Sequence, residues 1–228
     1  MDAESWHGRL SSGHWYRHLP APLQHSLLAH ARVRQLTAGQ VLFKRGDPPC
    51  GLYAVLEGSL RISAVNEQGK EALLSLAQAP FWFGEIAVFD GLLRTHDACA
   101  VGPCTLLQVP QAAMLHLLAQ SPAYWRDMAL LMSQKLRLSF INIEQLSLAP
   151  ASVRVAHRLW MIAEGYGEID GSRRVVQLAQ EDLAAMLGVS RQTTNALLKA
   201  LQEQGVVRLG YGEIEILDVG RLREMAQG

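Results

Sequence analysis

The residue types and spacing best suited to chemistry lie in residues 180–203, QEDLAAMLGVSRQTTNALLKALQE. The apolar spacing predicts two helices joined by a tight turn. Gly188 supplies that turn most simply by adopting a positive φ, and Ser190 is a good N-cap for the second helix. Polar residues at the beginning of a helix that follows such a turn are typical of proteins that present side chains to DNA bases.

The predicted helix pair has a packed face and an outward face. The packed residues are apolar or small: Leu183, Ala184, Leu187, Thr194, Leu197, Leu198 and Leu201. The outward residues of the second helix are polar: Arg191, Gln192, Asn195 and Lys199. Arginine pairs well with guanine O6 and N7, and glutamine or asparagine with adenine N6 and N7. The hydroxyls of Ser190 and Thr193 suit phosphate oxygens, as do amides at a helix N-terminus.

Two other interpretations of this segment remain open. An ordinary helical hairpin with a solvated polar face has a similar pattern. A helix pair that docks a protein would expose an apolar face, where this one carries Arg191, Gln192 and Asn195. The sequence that follows favours DNA binding, because residues 205–209 and 213–217 flank Gly210-Tyr211-Gly212 and predict the hairpin of a winged helix.

The elements that precede this segment change character along the chain. Residues 1–36 predict a polar lead-in followed by a helix with Leu23, Leu27, Leu28 and Ala31 on one face. Residues 41–109 hold short apolar runs separated by regularly spaced glycines, which predicts a β-sandwich or barrel. Residues 66–69 predict a hairpin loop between strands at 60–65 and 72–76. Residues 151–165 predict an amphipathic helix, and residues 175–178 a short strand.

Residues 122–148 predict one long helix with two apolar stripes. One stripe is Leu131, Leu138, Ile141 and Leu148. The other has heptad spacing, typical of a helix that pairs with another helix: Met132, Leu136, Ser139, Ile143 and Leu146. The alternative is that both stripes are buried against one domain. A homodimer explains two apolar faces, and Pro150 then marks a hinge and a domain boundary.

Bulk composition narrows the class of protein. The 228 residues are 49% hydrophobic with zero formal net charge, so a folded core is expected and any basic surface must come from the arrangement of charges. Three cysteines in no CxxC pair predict free thiols in a reducing cytoplasm. No signal peptide or membrane span is predicted. The absence of G-x-S-x-G, HExxH and Walker motifs argues against an enzyme.

Metal cofactors are not expected. An iron–sulfur cluster needs grouped cysteines, which the sequence lacks. Five histidines lie between residues 7 and 30, and His14 and His18 share a helical face on which a metal ion would have two ligands. An i,i+4 pair is also common by chance, so the pattern favours ordinary surface histidines.

With both halves considered, residues 20–218 resemble the cyclic-AMP receptor protein/FNR (CRP/FNR) family of bacterial transcription regulators. The matching motifs are LFKRGD at 42–47, LYAVLEG at 52–58, FGEIA at 83–87, LRT at 93–95 and SRQT at 190–193. The resemblance implies an α+β protein with three parts. These are a cyclic-nucleotide-binding-like β-roll (jelly roll) at 1–120, a dimerisation helix at 121–149 and a winged helix-turn-helix at 150–228.

The resemblance also implies a phosphate-binding cassette. In it, a short helix after Gly84 offers the backbone amides of Glu85 and Ile86 to an anion. Arg94 and Thr95 would hold the phosphate of a cyclic nucleotide, and Glu85 would accept a hydrogen bond from the ribose. Ser139 stands where cyclic-AMP-responsive members place a hydroxyl toward the adenine.

Several residues depart from the family pattern. Pro80-Phe81, His96 and Phe140 are bulkier than usual and would fill a purine pocket. The cassette is then a packing relic, or binds another nucleotide such as a cyclic dinucleotide. A further alternative is that Glu85 and Arg94 form a buried ion pair that only organises the loop.

On the DNA side, Arg191 matches the family arginine that reads guanine. Gln192 replaces an acidic residue and Ala196 a second arginine, so an altered neighbouring base, adenine through Gln192, is expected. The expected partners are double-stranded DNA with a pseudo-palindromic site and a second copy of the chain, with RNA polymerase as a further candidate. The expected role is a cytoplasmic transcription regulator that senses a small effector, with a cyclic nucleotide as the candidate and no certain cofactor. The alternative is the same DNA-binding role without a cyclic nucleotide, through an occluded pocket, another ligand, or a metal or redox signal.

Overall fold

The computed structural model describes residues 3–69 and 71–227. The chain divides into two compact units. The first takes in the chain up to Ala64 and Leu74–Arg137, and the second takes in Val65–Leu73 and the chain from Leu138 onward. Mixed helix and sheet with a β-roll and a helix-turn-helix confirm the predicted α+β fold class.

The N-terminal segment packs into the core, and the predicted polar lead-in is wrong. It holds helices α1 (His7–Leu10), α2 (His14–Arg17) and α3 (Ala21–His30). Tyr16 stacks on Trp82 at 5.7 Å between ring centroids, and the Trp15 ring meets Trp82 edge-on at 5.1 Å. The Trp15 indole N–H donates to the backbone carbonyl of Asp127 at 2.8 Å. Aromatic burial therefore fixes this segment, although its sequence looks polar. Helix α3 buries the predicted leucines but ends one residue before Ala31.

The β-roll consists of two four-stranded sheets. The strands, with helix α4 among them, are β1 (Arg32–Leu36), β2 (Val41–Phe43), β3 (Leu52–Glu57), β4 (Ser59–Val65), β5 (Glu71–Gln78), β6 (Phe81–Phe83), α4 (Glu85–Asp90), β7 (Asp97–Ala100) and β8 (Cys104–Val109). The sheet orders are β1-β8-β3-β6 and β2-β7-β4-β5. Strands β4 and β5 are neighbours, as the predicted hairpin requires. Strand β3 is buried on both faces from Leu52 to Leu56, because the N-terminal segment covers its outer side.

Two helices follow the β-roll: α5 (Gln111–Gln120) and α6 (Tyr124–Leu148). Helix α6 buries Met128 and Leu131. Leu136 and Ile143 of the predicted seam are 55% and 59% exposed. The first apolar stripe is buried only at Leu131, and its last member, Leu148, is exposed. Helix α6 therefore exposes more contiguous apolar surface than is usual for a monomeric protein.

The second unit contains the predicted winged helix. Its elements are α7 (Ala151–Ala163), β9 (Val175–Val176), α8 (Gln180–Leu187), α9 (Arg191–Glu203), β10 (Val207–Leu209), β11 (Ile214–Ile216) and α10 (Val219–Gln227). The strands form an antiparallel sheet in the order β10-β11-β9. Helix α10, which the sequence did not predict, packs against α7 and buries Leu222 and Ala226.

Candidate DNA-reading surface and effector site

The turn between α8 and α9 has the geometry that the sequence predicts. Gly188 adopts φ 62° and ends α8. The Ser190 hydroxyl accepts a hydrogen bond from the Thr193 backbone N–H at 3.0 Å, which caps α9. The Thr194 hydroxyl donates to the Ser190 carbonyl at 3.1 Å. These local bonds fix where α9 begins, and so which of its residues face outward.

The packed face of the helix pair is buried as predicted, with one exception. Leu183, Ala184 and Leu187 of α8 are buried. On α9 the buried residues are Thr194, Leu198 and Leu201. Leu197 is only half-buried. The interior is therefore built from the residues that the 3.6-residue period selected.

The outward face of α9 is polar and mostly exposed. Arg191, Gln192 and Lys199 are exposed, and Asn195 is half-buried. Arg191 Nη1 lies 3.9 Å from Glu181 Oε2, and both side chains are exposed. Such an exposed, long contact contributes little to stability, so the guanidinium can exchange it for a stronger partner. Ser190 and Thr193 are also exposed, with their hydroxyl oxygens 2.8 Å apart.

The hairpin after α9 is tied to the segment that precedes α8. Strands β10 and β11 pair antiparallel from Val207↔Ile216 to Leu209↔Ile214. Beyond them, the Gln177 side-chain amide donates to Glu213 Oε2 at 2.9 Å. A side-chain hydrogen bond therefore joins the wing to the segment that leads into the helix pair.

The cassette begins at a glycine that the backbone geometry requires. Gly84 adopts φ 97° and immediately precedes α4. A Cβ atom there would lie 2.8 Å from the Gly51 carbonyl oxygen and 2.9 Å from Arg94 Nη1. Any larger residue would therefore be strained and would displace Arg94.

Arg94 is a buried cation held by neutral groups. Its residue exposure is 5%. Nη2 donates to the Gly51 carbonyl at 2.6 Å and to Cys50 Sγ at 3.1 Å, and Nη1 donates to the Gly84 carbonyl at 3.2 Å. The guanidinium also lies 4.5 Å from the Phe43 ring centroid.

The charge of Arg94 is not neutralised within the described part of the chain. No carboxylate contacts the guanidinium among residues 3–69 and 71–227, and its Nε atom is buried there without a partner. A buried cation that is held by dipoles alone favours an anion. This arrangement is what a phosphate-binding residue needs.

Glu85 pairs with Lys135 instead of Arg94, so the alternative of a Glu85–Arg94 ion pair is wrong. Lys135 Nζ lies 2.7 Å from Glu85 Oε2, and Glu85 is 3% exposed. The same ammonium lies 4.9 Å from the Phe81 ring centroid. The sequence pattern did not predict a role for Lys135. Its signal was its position four residues after the buried Leu131, since a lysine on the buried face of a helix needs an acidic partner.

The other residues predicted to bind the effector take no part in the buried contacts of Arg94 and Glu85. Thr95 is exposed and its hydroxyl lies 2.8 Å from His96 Nδ1. Burial, together with the nearby Arg45 guanidinium, lowers the pKa of His96, and Asp97 opposes that shift. Ile86 is exposed at the first turn of α4. Ile86, Thr95 and His96 therefore make none of the hydrogen bonds that hold Arg94.

Ser139 and Phe140 lie on the part of α6 that belongs to the second unit. Ser139 is exposed. Phe140 is 64% exposed, so it does not fill a cavity within the described chain. Of the bulky replacements, Phe81 is buried in β6 and His96 is half-buried.

The histidines and cysteines are the other candidates for metal-binding and thiol sites. Within residues 3–69 and 71–227, no group of three or more His, Cys, Asp or Glu side chains could hold a metal ion. The rings of His14 and His18 lie 6.4 Å apart between centroids. The three cysteines are free thiols, and Cys104 is buried. In the part of the chain that the structure describes, no helix is both long enough and apolar enough to cross a membrane.

Comparison with known proteins assigns a family to each half. The family model described as cyclic nucleotide-binding domain matches residues 33–121. The model described as Crp-like helix-turn-helix domain matches residues 153–225. The two matches contain Arg94 and Arg191, respectively.

Two relatives are similar to this chain over most of its length. The chain is 32% identical over 217 residues to the Cyclic AMP receptor protein of Thermus thermophilus, covering 91% of this chain and 98% of that relative. It is 28% identical over 191 residues to the CRP-like cAMP-activated global transcriptional regulator of Mycobacterium tuberculosis, covering 83% and 85%.

Solved structures agree. A transcriptional regulator of the CRP/FNR family from Thermus thermophilus matches with a TM-score of 0.67 and 30% identity, over 86% of this chain and 99% of that one. FixK2 from Bradyrhizobium japonicum matches with a TM-score of 0.75 at 18% identity, over 86% and 96%, which shows the shared fold. The helix-turn-helix, the cassette and these matches over nearly the whole chain lead to one assignment: the chain belongs to the CRP/FNR family of bacterial transcription regulators.

Proposed function

We propose that this regulator is a homodimer that binds a pseudo-palindromic DNA site and responds to an anionic effector, with a cyclic nucleotide as the first candidate. Residues 1–120 form the effector domain, 121–149 the dimerisation helix and 150–228 the DNA-binding domain. The observation that carries the proposal is the exposed polar face of α9, whose beginning is fixed by the Ser190 cap.

The residues on α9 divide by the part of DNA that suits them. Arg191 is exposed and matches bidentate recognition of guanine. Gln192 and Asn195 suit adenine in neighbouring pairs. Lys199, Ser190 and Thr193 suit phosphate oxygens, which position the helix without reading sequence.

The exposed face of α6 supports dimerisation. A second copy of the same helix would bury its heptad seam, which is half-buried at Met132 and exposed at the other four positions: Leu136, Ser139, Ile143 and Leu146. A two-fold pair of chains then presents two recognition helices to successive major grooves, about 34 Å apart. RNA polymerase stays a further candidate partner of the assembled dimer.

The environment of Arg94 supports an anionic effector. Its uncompensated charge suits a cyclic phosphate, with Gly84, Glu85 and Ile86 offering amides and Thr95 a hydroxyl. Glu85 is held by Lys135 at 2.7 Å with one oxygen, and its carboxylate keeps acceptor sites for a ribose hydroxyl. Ser139 is the candidate contact to the base. The names of relatives that respond to cyclic AMP favour the same effector class.

A second candidate is the same DNA-binding role with another signal. It is favoured by the engagement of Arg94 with three groups of its own chain and of Glu85 with Lys135. In that case the cassette is a packing element, or accommodates a different ligand such as a cyclic dinucleotide.

Selection from a random duplex library by the full-length dimer tests the DNA-binding role. The expected product is an inverted repeat whose half-sites each contain a guanine opposite Arg191. The selection would be carried out without nucleotide and then repeated in the presence of cyclic AMP, cyclic GMP or cyclic di-GMP. Enrichment of no sequence under any of these conditions would overturn the proposed function.

Arg94→Ala is expected to weaken nucleotide binding at least about thirtyfold, because truncating one partner of a buried charge pair costs about 2–5 kcal/mol. Titration calorimetry with the same three nucleotides measures this effect. Arg32→Ala, which removes an exposed arginine of β1, is the matched control. Thermal melting separates lost affinity from lost stability, and Arg94→Lys keeps the charge without the bidentate geometry. Wild-type protein that gives no heat with any of the three supports the second candidate.

A further inference from the structure

A cysteine lies beside the buried cation of the candidate effector site. Arg94 Nη2 donates a hydrogen bond to Cys50 Sγ at 3.1 Å. The Tyr53 hydroxyl donates to the same sulfur at 3.2 Å. Cys50 is only half-buried, so a small solute can reach its sulfur from solvent. The sulfur therefore accepts from two donors, one of them a cation, and remains accessible.

The β-roll holds both donors against this sulfur. Tyr53 is buried in β3, and burial together with the hydrogen bond to Cys50 raises the pKa of its hydroxyl, which therefore keeps its proton. The Gly51 carbonyl, directly after Cys50, accepts from Arg94 Nη2 at 2.6 Å. A side chain at Gly51, where φ is 120°, would collide with the Val109 carbonyl oxygen at the end of β8. This close packing keeps Cys50 and Arg94 together.

Arg94 gives a second, independent indication that an anion belongs at this position. Its side chain is buried, and within residues 3–69 and 71–227 its Nε atom has no hydrogen-bond partner and no carboxylate contacts its guanidinium. A buried cation without a counter-charge is stabilised by an anion that forms beside it. The groups that accept from the guanidinium are two backbone carbonyls and one thiol, and of these only the thiol can become an anion.

The other two cysteines lack this environment. The Cys99 thiol donates to the Gly39 carbonyl at 3.2 Å, and neither of its described hydrogen bonds comes from a cation. Cys104 is buried, which raises its pKa to about 11. Reactive cysteines are typically partly exposed and close to a positive charge, whereas cysteines in apolar surroundings are inert. Of the three cysteines, Cys50 is therefore the one with both properties of a reactive thiol.

We propose that Cys50 is a site of oxidation by hydrogen peroxide, and that its oxidised form supplies Arg94 with an anion from within the chain. The Cys50 sulfur attacks one peroxide oxygen, so an S–O bond forms as the O–O bond breaks. The thiol proton passes to the departing oxygen, which leaves as water, and the oxidised cysteine is a sulfenic acid. Loss of its proton to solvent leaves a sulfenate, whose oxygen accepts a charge-assisted hydrogen bond from Arg94 Nη2.

The oxidised cysteine competes with an external anion for Arg94. The oxidation itself goes beyond the proposed function, because it needs neither a nucleotide nor DNA. Its effect on the effector rests on the proposed function, which assigns the charge of Arg94 to a phosphate group. A sulfenate beside Nη2 repels that phosphate and neutralises the charge that attracts it. Peroxide is then a second signal at the same site.

Trapping of sulfenic acids with dimedone tests the oxidation in the full-length protein. After brief treatment with hydrogen peroxide, mass spectrometry of the peptides is expected to find at least about tenfold more adduct on Cys50 than on Cys99. Arg94→Gln removes the positive charge and is expected to slow the labelling of Cys50 alone, and absence of label on Cys104 checks that the β-roll stays folded. Wild-type protein with no adduct on Cys50, or with as much on Cys99, would overturn the proposal.

Thermal melting tests whether the new anion pairs with Arg94. Oxidation is expected to raise the melting temperature of the wild type by about 3 °C relative to Cys50→Ser treated in the same way, since a charge-assisted hydrogen bond replaces a weak one. The Cys50→Ser protein accounts for oxidised methionines and for the other cysteines. Cys99→Ser is the matched control and should respond like the wild type. No rise, or a fall, in the wild type relative to Cys50→Ser would contradict an anion held by Arg94.

Calorimetry with cyclic AMP, cyclic GMP and cyclic di-GMP separates this inference from the proposed function. A nucleotide that binds the reduced wild type is expected to bind the oxidised protein at least about tenfold more weakly. Cys50→Ser should show the same affinity before and after peroxide. Equal affinity of the reduced and oxidised wild type would refute the competition. If no nucleotide binds the reduced protein, the nucleotide effector fails, while the adduct and the melting temperature still decide the oxidation.

Discussion

Arg191→Ala is expected to abolish sequence-specific DNA binding while the protein remains folded and dimeric. The side chain is exposed, and the one contact it makes among the described residues, to Glu181 at 3.9 Å, is weak, so its loss should not destabilise the second unit. A bidentate arginine–guanine contact contributes about 1–3 kcal/mol of discrimination, and a dimer makes two. The expected loss in the ratio of specific to non-specific affinity is therefore about thirtyfold or more.

Competition binding to the selected duplex and to a scrambled duplex measures that ratio. Lys199→Ala is the matched control on the same helix, because its loss should weaken both duplexes alike and reduce the salt slope by about one per phosphate contact. Circular dichroism melting checks that both variants remain folded. If the Arg191→Ala protein kept the wild-type sequence preference, α9 would not be the element that reads the bases.

Leu136→Glu is expected to convert the proposed dimer to monomers. Leu136 is 55% exposed in the single chain, so a carboxylate there is solvated and leaves the monomer folded. In a paired α6 helix the same position faces its symmetry mate, where an unpaired buried charge costs about 3–5 kcal/mol. The dimer dissociation constant should therefore rise at least about a hundredfold.

Light scattering with size-exclusion chromatography measures this change. Arg137→Glu, at the next residue of α6 and also exposed, is the matched control because it lies off the seam and should leave the assembly unchanged. Loss of the dimer in both variants would point to general charge repulsion. A stable Leu136→Glu dimer would mean that the chains associate through another surface.

The helix-turn-helix was predictable because its determinants are local. The φ of Gly188, the Ser190 cap and the burial of Thr194 and Leu198 are all decided by residues a few positions apart. The same holds for the loop at residues 66–69, where the Gly69 N–H donates to the Asn66 carbonyl at 2.9 Å. Each of these follows from turn chemistry and helical period without knowledge of the rest of the chain.

The contacts that the sequence did not predict join residues that are far apart in the sequence. Trp15 and Tyr16 become core residues only because Trp82 is brought against them, and no local pattern reports that pairing. The ion pair between Glu85 and Lys135 joins residues fifty positions apart. The resemblance to a family located Glu85, but the partner of a buried carboxylate depends on three-dimensional packing that periodicity does not contain.

Helix α6 runs without a break from Tyr124 to Leu148, so the cassette pairs through Lys135 with a rod whose far end lies in the other unit. Between Lys135 and Leu148 the rise of about 1.5 Å per residue gives an arm about 20 Å long. A tilt of about 10° at Lys135 moves the end of such an arm by about 3.4 Å, which is about the rise from one base to the next in B-form DNA. In the proposed dimer, a change of this size at the end of each α6 helix would alter the match between the two recognition helices and the double helix.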